Sequence, residues 1–582
     1  TVARTARALH WPLEFPDVMA KGGFDVVLGN PPWERIKLQE QEFFAARSPA
    51  IANAANKSAR EALIRALAAA EDGTPERALF SEFQTAKRIA EASSEFARTP
   101  AYEEFLGRDR VVTQRFVGGR FALTGRGDVN TYALFAEHFS NLTGPKGRAG
   151  IIVPTGIATD ATTAPFFAAL VAEKRLSQLV DFENRAGLFP AVDSRMKFAL
   201  LTLGHNEGTA RFAFFLTDPA QLAEPERNFT LTPGQIARLN PNTRTAPVFR
   251  SRADAELTAK IYEAAAIFGM TRAQGGWEPE FFKKMFDFGI HQSLLEFSVE
   301  PPSDEHLPVY EAKMIMHYNH RAATYEGASQ VDLRNGTARE ATLGELEDLD
   351  WEVLPRCWTH KDNFAKRMEG RNWSANWMLS MRDVTNATNE RTAIFVIRSY
   401  LPSNDKLPSI FVPFPASEVA CLVANLCSLT LDYVARQKVG GTNLAAFVVE
   451  QFPILPPTYY TPERLAFITP RVLELTYTSH ALAPFAADLG HTGPPFAWDD
   501  ARRAGLRAEL DAFYARAYHL SRDDLRYILD PTDVMGADYP SETFRVLRDK
   551  EIRQHGEYRT QRLVLAAWDA MAEDGTFKAM GM

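Results

Sequence analysis

Two consecutive prolines, Pro31 and Pro32, end a strand abruptly and constrain what the first part of this chain can become. Ahead of them, Phe24-Asp25-Val26-Val27-Leu28 is a short β-branched and apolar run, the kind that forms a buried parallel strand. Gly29-Asn30-Pro31-Pro32 then forbids continuation, because proline has no N–H to offer a ladder. A strand that stops this way sets its turn at the carboxyl edge of an α/β sheet, where ligands bind. The alternation continues downstream. Residues 130–135 read as a helix, Gly144-Pro145-Lys146-Gly147 as a turn, and residues 149–154, 179–182 and 198–203 as strands. The expected class is α/β with a mostly parallel sheet.

At 582 residues the chain is too long for one ordinary domain, and one domain per ~150 residues suggests three or four. Its 46% hydrophobic and 24% charged residues can bury a real core, which excludes disorder, collagen and coiled-coil fibres. No apolar run approaches the roughly 18 residues of a membrane span, and the start lacks the order of a signal peptide. Three cysteines (Cys357, Cys421, Cys427) make no disulfide framework, so a reducing, cytoplasmic setting is expected. The net charge of −8 excludes a wholly basic nucleic-acid coat, but leaves room for a local basic cleft.

Between the first strand and the resumed α/β pattern, residues 40–98 are rich in Ala, Glu and Arg, with Gly73-Thr74-Pro75 separating two helices. Boundaries are expected near Asn240-Pro241-Asn242-Thr243 and at Pro453, Pro456 and Pro457. Beyond the latter the pattern is helical, as at residues 501–518 and 542–571. The divisions drawn are residues 1–225 (with a helical insertion at about 40–127), 226–457, and a helical tail, 458–582.

The residues of the turn suit the methylation of an exocyclic amine. An aromatic amine such as adenine N6 delocalises its lone pair into the ring and is a poor nucleophile. The Asn30 side-chain oxygen and a neighbouring backbone carbonyl can each accept one N–H, holding the amine with its lone pair out of the ring plane. Pro31 fixes the backbone so that its carbonyls face the pocket, Pro32 keeps the turn rigid, and neither proline has an N–H to compete. Trp33 offers a flat face for a base swung out of a duplex. The plainer reading of the same residues is a rigid strand-ending turn with a core tryptophan.

From Gly22 to Trp33 the sequence Gly-Gly-Phe-Asp-Val-Val-Leu-Gly-Asn-Pro-Pro-Trp resembles motif IV of the amino-group DNA methyltransferases. The resemblance is to the large adenine-N6 enzymes of type IIG restriction–modification and of BREX- and DISARM-type phage defence. Gly127-Asp128-Val129-Asn130-Thr131-Tyr132-Ala133-Leu134-Phe135 is similar to the helix after that family's insertion. Gly147-Arg148-Ala149-Gly150-Ile151-Ile152-Val153-Pro154 is like its next strand. Supporting similarity continues through Leu307-Pro308-Val309-Tyr310-Glu311-Ala312-Lys313-Met314, Arg382–Thr392 and Lys438–Asn443. The resemblance implies the second half of a Rossmann-like class I methyltransferase domain, then a mixed α/β target-recognition region and a helical tail. It also implies S-adenosylmethionine as cofactor, Asn30, Pro31, Pro32 and Trp33 as catalytic residues, and double-stranded DNA with a flipped adenine as partner. Other subunits of a defence system are further partners it implies, and a membrane is not among them. One departure stands out. The family's Gly-rich cofactor loop precedes motif IV, yet only 29 residues precede Asn30 and none makes such a loop. Gly118-Gly119, Gly125-Arg126-Gly127 and Gly440-Gly441 lack the strand-then-helix setting. The chain is therefore expected to be the C-terminal part of a longer enzyme, with cofactor-binding residues unknown.

For DNA contact, residues 356–406 carry nine cations against five acids, interleaved with Trp358, Trp373 and Trp377. Arg382, Asn386, Asn389 and Arg391 are of the types that read purine edges, and Gly440-Gly441-Thr442-Asn443 can bring backbone amides to a phosphate. A solvated face over core tryptophans, and a simple turn, are the plainer alternatives. Asp304 with Glu311 and Lys313 is too closely spaced for a nuclease triad. His317 and His320 lack further ligands for zinc, Asp181 and Glu183 read as a polar strand end, and no metal is expected. Two other functions remain open: methylation of a protein glutamine or of ribosomal guanine N2, and a non-catalytic DNA-recognition component whose partner binds the cofactor.

Overall fold

A computed structural model describes residues 9–54, 57–98, 101–105, 112–116, 120–190, 192–194, 196–206, 208–241, 245–371, 373–439 and 442–582. The chain divides into two compact units, Thr1–Arg252 and Ala253–Met582. The boundaries expected from the sequence lie after residues 225 and 457.

The strands of the first unit, in chain order, are β1 (Phe24–Gly29), β2 (Ala101–Phe105), β3 (Val112–Phe116), β4 (Thr143–Pro154), β5 (Leu176–Glu183), β6 (Lys197–Leu203), β7 (Ala210–Leu216) and β8 (Phe229–Leu231). β2 and β3 pair with each other, and the remaining six form one sheet in the order β1-β4-β6-β5-β7-β8. β1, β4, β5 and β7 run one way, whereas β6 and β8 run against their neighbours. The sheet is thus mixed, where a mostly parallel one was expected. A parallel return needs a crossover that is usually an α-helix. The link from β5 to β6 carries, among its described residues, only the short 3-10 turn Asn184–Ala186, so β6 comes back antiparallel.

β1 is parallel, as expected, but it is not buried. Among the described residues it pairs only with β4, and as the edge strand there it leaves Val26 69% and Leu28 83% exposed. The expected Gly144–Gly147 turn lies inside β4 as an excursion, because pairing jumps from Phe24↔Thr143 to Val26↔Arg148. Gly147 sits there because a Cβ would come 2.3 Å from the Phe24 carbonyl oxygen. The insertion folds as helices Lys57–Ala68 and Pro75–Ala97, with Thr74 capping the second through the Arg77 N–H at 3.3 Å.

The second unit centres on a four-stranded antiparallel sheet of Glu280–Phe282, Ser409–Phe411, Trp377–Met381 and Phe395–Ser399, in that order. Every residue of Trp377–Met381 and Phe395–Ser399 is buried, so both faces are covered. The C-terminal region is helical, with Pro462–Thr476, Asp500–Ala517, Arg545–His555 and Arg559–Glu573. The helical pattern expected over residues 542–571 is carried by two helices, the first ending at Gly556, whose φ of +75° makes a left-handed cap. No single helix among the described residues is long and apolar enough to cross a membrane. All three cysteines are free and buried.

Candidate active site

The turn after β1 is held from both sides. Gly29 is required because the Phe139 ring of helix Thr131–Leu142 lies over it, and a Cβ would meet that ring at 2.8 Å. After the turn, the chain zips onto the start of the same helix. The Thr131 N–H donates to the Glu34 carbonyl at 2.9 Å, and the Ile36 N–H donates to the Val129 carbonyl at 3.0 Å. The Thr131 hydroxyl donates to the Pro32 carbonyl at 2.7 Å and accepts the Glu34 N–H at 3.0 Å. Nothing in the sequence around Thr131 points to this role. Its partners lie 97 and 99 residues away, and no local pattern announces them.

What remains free is informative. Pro31 is buried, Asn30 is exposed, and the Asn30 side chain has no hydrogen-bond partner among the described residues. The Pro32 carbonyl is taken by Thr131, whereas no backbone N–H of the described residues reaches the Pro31 carbonyl. Two acceptors of the turn, the Asn30 amide oxygen and the Pro31 carbonyl, are therefore without a hydrogen-bond partner among the described residues. Trp33 is half-buried. Its indole N–H donates to the Ile152 carbonyl at 3.3 Å, and it packs against the hydrophobic cluster formed by Val180, Phe182, Phe198, Ala213 and Leu216. Trp33 is thus both a core residue and the wall of the carboxyl edge.

Along that edge Asp181 is only 1% exposed, although a polar strand end was expected there. Its carboxylate accepts the Thr155 hydroxyl on one oxygen and the Phe215 N–H at 3.1 Å on the other. Burial pushes the carboxyl above its ordinary range, and these two donors oppose the rise. The Phe215 N–H is available because β7 bulges. Pairing jumps from Val180↔Ala213 to Phe182↔Leu216, and Phe215 sits at φ +59°. Its ring has Lys197 Nζ at 4.7 Å and the Arg250 guanidinium at 4.1 Å. Glu183 pairs with Arg185 at 2.7 Å and with Lys197 at 3.2 Å. Phe214-Phe215 carries no glycine, so nothing in the sequence marked the bulge.

In the second unit two segments singled out from the sequence meet. Val384 pairs with Asn443, the Thr385 N–H donates to the Thr442 carbonyl at 3.0 Å, and the Leu444 N–H donates to the Asp383 carbonyl at 2.7 Å. Gly440 and Gly441 lie outside the described residues. Asn389, Thr442 and Asn443 are exposed and Asn386 is half-buried, its side-chain oxygen accepting the Thr388 N–H at 2.9 Å. The two arginines are engaged inside the unit. Arg382 donates to the Ala312 and Ile315 carbonyls at 2.9 and 2.8 Å. Arg391 donates to Asp432 at 2.6 Å. Arg436 then staples the loop from beneath through the Ala387, Asn389 and Glu390 carbonyls.

Many of the basic and aromatic residues of 356–406 are engaged inside the unit. Trp358 and Trp377 are buried and Trp373 half-buried. Arg356 is tied to Glu311, Arg371 to Glu280 and Lys361 to Glu305, and Arg398 is wholly buried in the sheet. His317 is bonded to the Ala393 carbonyl at 2.7 Å and His320 to Ser479 at 3.2 Å.

Residues 1–62 match the Eco57I restriction-modification methylase family, and that stretch contains the Asn-Pro-Pro-Trp turn on which the sequence resemblance rests. No curated protein matches the chain. Among solved structures it is similar to the type IIL restriction-modification enzyme MmeI in complex with DNA, with 11% identity and a TM-score of 0.30. That alignment covers 68% of this chain and 50% of the other. It is similar also to the type IIG restriction endonuclease BpuSI, with 10% identity over 69% of this chain and 50% of that one, TM-score 0.22. For the DrdV–DNA complex the values are 10%, 80% and 46%, TM-score 0.27. The chain spans half or less of the length of these proteins.

Proposed function

We propose that this chain carries the target-base half of a restriction–modification or phage-defence DNA methyltransferase that modifies adenine at N6. The carrying observation is the Asn-Pro-Pro-Trp turn, within the segment that matches a restriction-modification methylase family, with the Asn30 oxygen and the Pro31 carbonyl both without a partner among the described residues. S-adenosylmethionine is the methyl source in this reading. The chain's own residues do something else: Asn30 and Pro31 each accept one N–H of the amine, which orients its lone pair away from the ring. Trp33 bounds the pocket on the β4–β5 side and stacks on the extruded base. No covalent nucleophile is needed, and the surplus proton leaves to solvent.

The residues present do not fit the cofactor itself. No Gly-rich strand-to-helix turn occurs in the sequence. The sheet supports a cofactor half supplied from outside these residues. Among the described residues β1 has an unpaired edge, and Val26, Leu28, Gly150, Ile152, Leu200 and Thr202 on one sheet face are exposed or only partly covered. An exposed apolar edge strand is a pairing template that proteins normally cover. This half-sheet is read as the second part of a Rossmann-like domain. The chain alone is expected to bind S-adenosylmethionine weakly or not at all in calorimetry. Micromolar binding by the 582 residues would show that the cofactor site lies within them. The same open edge favours a second reading, a DNA-recognition component to which a separate partner brings cofactor binding. Methyl transfer that requires mixing with a second polypeptide would select it.

In this reading DNA recognition belongs to Asn386, Asn389, Thr442 and Asn443, with Arg382 and Arg391 supporting them from within and with Gly440 and Gly441, outside the described residues, as expected from the sequence. Asn389→Ala is expected to weaken specific binding by ~1–3 kcal/mol and to relax preference at one base pair. Unchanged affinity and preference in a binding-site selection would move recognition elsewhere.

A further inference from the structure

Helix Thr131–Leu142 begins with a side chain that does not serve it. Threonine is a poor helix former beside alanine, and its favoured place at a helix start is the cap, one position earlier. Here Asn130 holds the cap and makes no side-chain capping bond. The Thr131 hydroxyl bonds no group of its own helix among the described residues. Its neighbours all belong to the turn segment: the Glu34 N–H at 3.0 Å, the Pro32 carbonyl at 2.7 Å and the Glu34 carbonyl at 3.0 Å. A hydroxyl has one proton to donate. The Glu34 carbonyl already accepts the Thr131 N–H at 2.9 Å, which leaves that proton to the shorter contact, Pro32.

Among the described residues that contact is the one hydrogen bond to the backbone of residues 30–33. The Pro32 carbonyl belongs to the peptide ahead of Trp33, and the Glu34 N–H to the peptide behind it. One side-chain oxygen therefore holds both peptides that meet at the Trp33 Cα. The indole N–H adds little, since its 3.3 Å lies beyond the usual ~2.7–3.2 Å of such a bond. With the φ of Pro32 fixed by its ring, little freedom is left to the Pro31 carbonyl ahead of it. We infer that Thr131 is a positioning residue for methyl transfer, fixing Trp33 and the Pro31 carbonyl through its hydroxyl. This rests on the reading of the turn as a base pocket. Thr131 acts through the groups that meet the base and touches no reacting atom itself.

The test has two arms. In the full chain labelled with 5-fluorotryptophan, fluorine NMR reports all nine tryptophans, and the Trp33 line is assigned by its loss in Trp33→Phe. Thr131→Val keeps the shape of the side chain, and Thr131→Ala favours the helix. Both should shift the Trp33 line and leave the others in place, whereas Thr131→Ser should leave every line where it is. In the enzyme complete with its cofactor half, the valine and alanine variants should lower kcat roughly tenfold, the effect of about one net hydrogen bond. KM for DNA should be nearly unchanged, and Thr131→Ser should retain the wild-type rate. A Trp33 line unmoved by loss of the hydroxyl, or moved together with the other lines, overturns the proposal. So does a wild-type kcat in Thr131→Ala, or a rate lost equally in Thr131→Ser, and these results leave the base-pocket reading intact. A complete wild-type enzyme that transfers no methyl to DNA overturns that reading, and this role with it.

Discussion

Asn30→Ala, in the enzyme complete with its cofactor half, is expected to lower methyl transfer by roughly 10²–10³-fold, the scale of removing one preorganised hydrogen-bonding group from a reacting centre. The amine needs its acceptor most as nitrogen loses its conjugation with the ring, so the loss should appear in kcat rather than in KM. Affinity for DNA should stay nearly intact, because it comes chiefly from phosphate contacts spread over a wide surface. Stability should stay intact as well, since Asn30 is exposed and its side chain has no partner among the described residues. The measurement is single-turnover transfer of labelled methyl, with duplex binding and thermal unfolding recorded on the same preparation. A variant that loses activity together with its fold would instead make Asn30 a structural residue of the turn.

The second large effect is expected far from the turn. Asp432 is fully buried, accepts Arg391 Nε at 2.6 Å and the Thr392 and Ala393 N–H groups at 2.9 and 3.0 Å, and lies 3.8 Å from Arg436. Asp432→Ala would leave two guanidinium groups in the interior without their counter-charge. Breaking a buried pair by removing one partner costs about 3–5 kcal/mol. Arg436 also holds the Ala387, Asn389 and Glu390 carbonyls, so DNA binding should fall with stability. Denaturant unfolding checks this, followed by a probe in the second unit because a chain of two units need not unfold in one step. Asp362→Ala, at an exposed helix start, should change stability by no more than ~0.5 kcal/mol. A loss below about 1 kcal/mol for Asp432→Ala would mean that the arginines find other partners or water.

The turn was legible because its determinants are consecutive. Strand, glycine, asparagine and two prolines act within ten residues, and each leaves a local signature. The helices of the insertion and the strands β5 and β6 were legible for the same reason of periodicity. The direction of β6 was not, since it depends on how the β5–β6 link is built and on what pairs at either side. Nor were the partners of the arginines. Arg382 and Arg391 have the residue type of base readers, but their acceptors lie 70, 67, 41 and 36 residues away, in carbonyls and one carboxylate that only the tertiary fold brings near. Residue type alone does not say whether a guanidinium faces DNA or a buried aspartate. The same holds for Asp181, whose burial follows from a bulge in β7 that no glycine marks.

Product identity tests the central claim most directly. The complete enzyme is incubated with duplex DNA and labelled S-adenosylmethionine, the DNA is digested to nucleosides, and the labelled species is identified by chromatography and mass. N6-methyladenine from the wild type, with the label lost in Asn30→Ala, is the predicted result. Label recovered as N4-methylcytosine, or N6-methyladenine formed at most of the wild-type rate by Asn30→Ala, would contradict the assignment of this turn as an adenine pocket.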